Sequence, residues 1–158
     1  MRALLVMDMQ ENLISEDSQN LIDRINGEIS KFDKNNVFYI KTNKKQNILT
    51  KFLSKKTSST SNELVNNLLV VNKHLINKSN KDAFKNNELV TTLKSGKFDE
   101  LQIVGFDICN SIHDSVLSGL KNGFKIVLNK NLTDTISPKK KEEKTLKKLK
   151  EKVVKILN

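Results

Sequence analysis

The chain has 158 residues, of which 37% are hydrophobic and 29% are charged, and its formal net charge is +10. This composition is that of a globular protein, and no run of residues approaches the ~20 apolar positions that a membrane-spanning helix needs. The single cysteine excludes an internal disulfide framework and fits a reducing compartment. We therefore expect a cytoplasmic protein that forms one domain over residues 1–158 and does not bind membranes.

Strand and helix patterns alternate from the amino terminus onward. Residues 3–7 form a continuous apolar run that stops at Asp8, which is typical of a strand buried on both faces of a parallel sheet. Apolar residues at helical spacing predict a helix over residues 18–32, and residues 37–40 are predicted to form the second strand. Strand, helix and strand together make a βαβ unit.

The same alternation continues to the carboxyl terminus. Residues 42–61 are a polar excursion, and residues 62–68 could form a helical turn. The pattern then predicts a third strand at 74–77 that ends at Lys78, a fourth at 101–105 and a fifth at 124–128. It predicts helices at 86–93, at 111–122 and from about 138 to 157. This order predicts the α/β class, with a single doubly wound parallel sheet and helices on both of its faces, a Rossmann-like architecture.

The last predicted helix carries most of the positive charge. Residues 138–158 contain nine lysines and three glutamates, and Leu146, Leu149, Val153 and Ile156 form one apolar stripe. A solvated lysine face on a helix that packs against its own sheet is the favoured interpretation, and a partner-binding helix is an alternative. Nucleic-acid binding is the least favoured alternative, because charge alone is weak evidence and no aromatic residues interleave with the lysines.

Candidate reactive groups follow three of the predicted strands. Asp8 ends the first strand, Lys78 ends the third, and Cys109 and Ser111 lie in the segment after the fourth. Ligands bind outside the carboxyl ends of parallel strands, so an acid, a base and a nucleophile would meet at one edge of the sheet.

Several other kinds of site lack their sequence signatures. The chain has neither G-x-G-x-x-G nor G-x-x-x-x-G-K-[ST], so dinucleotide and P-loop sites are excluded. His74 and His113 are the only histidines and no zinc-type spacing is present, so neither a metal nor a cofactor is predicted. Lys78 replaces the aspartate of a response-regulator receiver, and Gln10 replaces the second acid of an Asp-x-Asp phosphatase.

Three segments together resemble one known family. Residues 6–12 (VMDMQEN) resemble the V-x-D-M-Q-N-D opening of the isochorismatase-like hydrolases, which include nicotinamidases and other cysteine hydrolases. Residues 78–84 (KSNKDAF) are similar to the family's K-x-x-x-S-A-F segment, and residues 103–124 resemble V-x-G-x-x-T-x-x-C-V followed by a helix and G-Y. The chain is thereby identified as a divergent member of this superfamily.

The resemblance implies a catalytic triad of Asp, Lys and Cys. The thiol attacks an amide or related carbonyl carbon, the Asp accepts its proton, and the Lys polarises the pair. These roles would fall to Asp8 and Lys78, with a small metabolite as substrate and a homo-oligomer, dimer or larger, as the assembly. Some relatives lack the cysteine and hydrolyse a vinyl ether by protonation. The nicotinamidase branch binds metal through Asp-x-His after the second strand, where residues 41–45 read KTNKK.

The nucleophile position departs from the family pattern. The family's cysteine lies six residues after one glycine and twelve before the next, and counting from Gly105 and from Gly123 both lead to Ser111. Placing Cys109 there would need a two-residue deletion and a compensating insertion, so Ser111 is favoured. Each residue also has a structural interpretation: Ser111 as part of a capping box, Cys109 as a small buried residue, and Asp8 as a salt-bridge partner or loop cap.

The leading functional hypothesis is an isochorismatase-like hydrolase acting on an amide, imide or vinyl ether through Asp8, Lys78 and Ser111 or Cys109. The alternative is a catalytically degraded relative that binds a small molecule or a protein.

Overall fold

The centre of the molecule is a parallel β-sheet. A computed structural model describes residues 1–15, 18–43, 61–152 and 155–157. Within those ranges the sheet consists of β1 (Arg2–Met7), β2 (Val37–Thr42), β3 (Leu75–Lys78), β4 (Glu100–Phe106), β5 (Lys125–Asp134) and β6 (Lys155–Leu157). The strand order is β3-β2-β1-β4-β5-β6, and every neighbouring pair is parallel.

Helices cover both faces of this sheet, which confirms the predicted α/β fold. The described helices are α1 (Gln19–Ile29), α2 (Asn87–Ser95), α3 (His113–Lys121) and α4 (Lys139–Glu151). Because successive side chains of a strand point to opposite faces, Leu4 and Val6 pack with α1, whereas Leu5 and Met7 belong to the apolar cluster formed with α2, α3 and α4. Both faces of β1 are therefore buried, as its continuous apolar run predicts.

The carboxyl terminus differs from the prediction of one helix to residue 157. Helix α4 ends at Glu151, and Lys155–Leu157 instead form β6 beside β5, with Ile156 opposite Leu128. Backbone hydrogen bonds to the edge of β5 compete with a longer helix, and the β-branched Ile156 suits a strand. Within the predicted apolar stripe, Leu149 is buried and Leu146 half-buried, while Val153 lies outside the described residues.

Two other segments differ from the predicted pattern. Residues 62–68 do not form the expected helical turn. They form an antiparallel bridge between Leu64 and Gln10 and then a turn, because this segment is hydrogen-bonded to the chain that leaves β1. β5 extends to Asp134, six residues beyond the predicted end. Most of the predicted polar excursion, residues 44–60, lies outside the described residues. In the part of the chain that is described, no helix is long and apolar enough to cross a membrane.

A close approach between β1 and β4 shapes the carboxyl edge. Gly105 has φ +114°, and a Cβ there would lie 2.1 Å from the carbonyl oxygen of Met7. Only glycine fits this position, since the backbone conformation and the contact both exclude a side chain. The segment that follows β4, beginning with a cis peptide between Phe106 and Asp107, therefore starts directly beside Asp8.

Candidate active site

Four strands deliver one polar side chain each to the carboxyl edge of the sheet. Asp8 follows β1, Thr42 ends β2, Lys78 ends β3, and Ser111 lies in a π-helical turn, Ile108–Ile112, that follows β4. β1 and β4 flank the point where the strand order reverses, which is where α/β sheets of this kind bind ligands.

The structure brings Asp8, Lys78 and Ser111 into mutual contact. The Ser111 hydroxyl donates to Asp8 Oδ2 at 2.5 Å, and Lys78 Nζ lies 2.9 Å from the same carboxylate oxygen and 2.9 Å from Ser111 Oγ. The side chains of Asp8 and Lys78 are only 3% and 2% exposed. A charge pair this deeply buried needs further hydrogen bonds to offset the loss of hydration.

Oxygen atoms surround the Lys78 ammonium on the remaining sides. Its nitrogen donates to Thr42 Oγ1 at 2.8 Å and lies 3.3 Å from the carbonyl oxygens of Asn80 and Lys81. With Asp8 and Ser111, five acceptors share its three protons. The ammonium is thus held at one point between the carboxylate and the hydroxyl.

Thr42 is a contact that the sequence-based prediction missed. Its hydroxyl donates to Asp8 Oδ1 at 2.7 Å and accepts the hydrogen bond from Lys78. The predicted second strand stopped at residue 40, so Thr42 fell in the polar stretch that follows and nothing in the sequence distinguished it. In the structure β2 continues to Thr42, which pairs with Lys78 of β3.

Gln10 holds the backbone of Thr42 from within the protein. Its side chain is fully buried, its Oε1 accepts from the Thr42 amide at 2.7 Å, and its Nε2 donates to the Thr42 carbonyl at 3.1 Å and to the Asn62 carbonyl at 2.7 Å. One side chain therefore binds both backbone polar groups of Thr42, the last residue of β2.

Cys109 points away from this cluster. It is buried in the apolar cluster shared with α4, where the Thr145 hydroxyl lies 3.8 Å from Sγ. This position agrees with the interpretation of Cys109 as a small buried residue.

The predicted capping role of Ser111 is wrong. The Asp107 carboxylate caps this turn instead, by accepting from the Cys109 amide at 3.0 Å. The turn begins at Ile108, so Ser111 lies inside it and its hydroxyl is directed to Asp8 and Lys78 rather than to free backbone amides.

A pocket of about 290 Å³ opens onto the cluster. Leu13, Phe106 and Ile136 contribute apolar groups to its lining, and Asn80 and Lys81 contribute polar groups. Ile136 is 68% exposed, although it is a large apolar residue. The dimensions and the mixed lining suit a small organic molecule.

The described residues do not fit a bound metal ion. In the ranges that the structure covers, no group of three or more His, Cys, Asp and Glu side chains comes together. Residues 41–45, in the place of the Asp-x-His motif after β2, read KTNKK and contain neither an aspartate nor a histidine, which are the ligand types that such a site needs. No chemical step is therefore assigned to a metal.

The fold and this cluster define an α/β protein with a pocket beside buried polar side chains at the switch point of its sheet. The family model of the isochorismatase domain matches residues 2–158. The chain belongs to the isochorismatase family of hydrolases.

Solved structures with the same fold include three amidases. The pyrazinamidase of Pyrococcus horikoshii in complex with zinc is 19% identical, with a TM-score of 0.81 and coverage of 99% of this chain and 98% of that one. A nicotinamidase from Staphylococcus aureus is 21% identical (TM-score 0.74, coverage 98% and 97%). An N-carbamoylsarcosine amidase from Thermoplasma acidophilum is 12% identical (TM-score 0.77, coverage 99% and 95%). At these identities the likeness concerns the fold, and no curated protein sequence matches the chain.

Proposed function

We propose that this protein hydrolyses a small molecule that contains an amide, imide or vinyl ether, and that Asp8, Lys78 and Ser111 form its active site. The observation that carries the proposal is the position of Ser111 Oγ, which is within hydrogen-bond distance of both Asp8 Oδ2 and Lys78 Nζ beside an open pocket. A nucleophile in contact with a base and a cation is the arrangement that covalent hydrolysis requires.

With an amide or imide, Ser111 acts as the nucleophile. Its oxygen attacks the carbonyl carbon while its proton moves to Asp8 Oδ2, and the carbonyl electron pair moves onto the carbonyl oxygen. Collapse of this adduct expels the amine, which takes the proton from Asp8, and water then cleaves the serine ester by the same two steps. The Lys78 ammonium, 2.9 Å from Ser111 Oγ, stabilises negative charge that develops on that oxygen.

The identity of residue 111 favours a second reaction, the hydrolysis of a vinyl ether. A serine hydroxyl is far less acidic than a thiol, so removal of the Ser111 proton by Asp8 is harder than removal of a cysteine proton would be. In vinyl ether hydrolysis the Asp8 carboxylate takes a proton from solvent and passes it to the terminal carbon, and water adds to the resulting oxocarbenium ion. The hemiketal breaks into a ketone and an alcohol, and Asp8 recovers a proton from the added water.

Purified protein assayed against primary amides, cyclic imides and enolpyruvyl ethers tests the proposal. Asp8→Asn should abolish turnover of every compound. Ser111→Ala should abolish amide and imide cleavage but leave vinyl ether cleavage largely intact, so the two variants together identify the reaction. Turnover no greater than that of Asp8→Asn across the whole panel would contradict the proposal and favour a small-molecule or protein-binding role.

We further propose that the protein assembles as a homo-oligomer of two or more chains, as the resemblance to the family implies. Size-exclusion chromatography with light scattering measures the mass directly. A monomer at concentrations well above those used in assays would contradict this.

A further inference from the structure

We propose that Thr42 is a positioning residue of this site, which holds the Asp8 carboxylate so that Oδ2 faces Ser111. The catalytic consequence rests on the proposed function, whereas the positioning itself can be tested without turnover. Neither the three segments that carry the family resemblance nor the predicted triad includes this residue.

Thr42 closes a ring of four side chains. Following the contacts, Asp8 Oδ1 meets Thr42 Oγ1 at 2.7 Å, Thr42 meets Lys78 Nζ at 2.8 Å, Lys78 meets Ser111 Oγ at 2.9 Å, and Ser111 meets Asp8 Oδ2 at 2.5 Å. Each member of the ring comes from a different strand or from the turn that follows one.

The direction of every hydrogen bond in this ring is determined by its donors. Lys78 has protons only, so both hydroxyl oxygens accept from it. Each hydroxyl then has a single proton, and the two protons go to the two different oxygens of Asp8. The carboxylate is therefore held at both ends, and it cannot rotate without breaking one charge-assisted hydrogen bond.

Removal of the Thr42 hydroxyl would release one end of this carboxylate. Asp8 could then rotate toward Lys78, with which it is already in contact at 2.9 Å. The Ser111 proton has an alternative acceptor in the carbonyl oxygen of Lys81, 3.2 Å from Oγ. In that arrangement the serine proton would no longer be directed to the proposed base.

The position of Thr42 is itself firmly fixed. Gln10 binds its amide and its carbonyl, and the following residue, Asn43, donates its amide to the Lys78 carbonyl at 2.8 Å. Branching at Cβ also restricts the side-chain rotamer of threonine. The hydroxyl therefore occupies a fixed position from which it can orient the carboxylate of Asp8, the residue that follows β1 and has φ +51°.

Thr42→Val and Thr42→Ser form a matched pair for the test. Valine keeps the branched shape and removes the hydroxyl, whereas serine keeps the hydroxyl. With a substrate from the panel above, we expect Thr42→Val to lower kcat by about 10- to 100-fold with little change in KM, because misplacement of a reacting group has effects of this size. Thr42→Ser should stay within about threefold of the parent protein.

A second measurement reports the positioning independently of turnover. Ser111→Cys in a Cys109→Ala background places a single thiol in the ring, and its alkylation by iodoacetamide is followed against pH. Lys78 Nζ and Asp8 Oδ2 both face this position: the ammonium favours the thiolate, and the carboxylate opposes its charge but accepts the thiol proton. We therefore expect the thiol to react with iodoacetamide at neutral pH. Adding Thr42→Val should lower the alkylation rate at neutral pH by about three- to tenfold, whereas adding Thr42→Ser should not.

The outcomes separate this inference from the proposed function. A difference between the valine and serine variants in alkylation, without turnover of any compound, would contradict the hydrolase and support the role of Thr42. Identical alkylation profiles would overturn the role of Thr42 whatever the activity. Thermal unfolding confirms that each variant is folded, and Thr42→Ala replaces Thr42→Val if the latter does not fold.

Discussion

Ser111 Oγ lies 2.5 Å from Asp8 Oδ2, although the two residues are 103 positions apart in the chain. The contact depends on the pairing of β1 with β4, in which Met7 lies opposite Gly105. Because β1 and β4 are neighbours and both end at this edge, the residue after β1 and the turn after β4 meet there.

Gly105→Ala should destabilise the protein by at least about 3 kcal/mol. The added Cβ would have to displace the Met7 carbonyl, and the alanine would have to keep an unfavourable positive φ. Gly27→Ala is the matched control. Gly27 lies in α1 with no atom within 4 Å of an added Cβ, so this substitution should stabilise by about 0.5–1 kcal/mol. Urea unfolding followed by circular dichroism measures both. Similar effects for the two substitutions would contradict the close approach of β1 and β4.

Lys78→Met should lower the free energy of unfolding by about 3 kcal/mol, because Asp8 would be left as a buried charge without its cation. The double variant Asp8→Asn with Lys78→Met should cost less than the sum of the two single changes. The coupling energy in this double-mutant cycle is the measured quantity. Strict additivity would mean that the two side chains do not interact in the folded protein.

Cys109→Ala should retain turnover within about twofold and lower the free energy of unfolding by about 1 kcal/mol, because a small buried side chain is removed from the apolar cluster. Alkylation of the native parent protein at Cys109 should also be slow until denaturant is added. A loss of activity as large as that of Ser111→Ala would show that the thiol reaches the site.

The phenol of Tyr39 should titrate above its ordinary pH. Burial raises its pKa from 10.0, and the hydrogen bond from the Val71 amide, which favours the phenolate, offsets part of this increase. A raised pKa in the folded state means that stability is fully present below pH 10 and decreases as the pH rises through the folded value. Tyr39 is the single tyrosine in a chain without tryptophan, so absorbance at 295 nm follows it alone. Equal titration in buffer and in 8 M urea, about the concentration needed for full unfolding, would contradict the prediction.

The sequence pattern was sufficient for the α/β fold and for three of the four residues in the ring. Asp8 and Lys78 were recognisable because each is an ionisable residue at the carboxyl end of a short predicted strand. Ser111 was recognisable because Gly105 and Gly123 mark the family's spacing. Strand ends align at one edge of a parallel sheet, so the sequence order alone predicts that these groups converge.

Other features depend on contacts that no local pattern encodes. Thr42 begins a long polar stretch, in which one hydroxyl residue cannot be distinguished from its neighbours. The contacts of Gln10 could be predicted only if Thr42 and Asn62 were known to lie beside it. Strand β6 could be predicted only if the edge of β5 were known to be available for pairing. The cap after β4 was assigned to Ser111 because the helix was predicted to begin there. A π-helical turn begins at Ile108 instead, three residues earlier, and Asp107 caps it.

β3 is the outermost strand on one side of the described sheet and has only four residues, the last of which is Lys78. Short edge strands open more readily than the central strands of a sheet. Opening of β3 would withdraw the ammonium from Asp8 and Ser111 while β1 and β4 remained paired. On heating we therefore expect the contacts of Lys78 with Asp8 and Ser111 to be lost before cooperative unfolding, because they depend on one short outer strand of the described sheet.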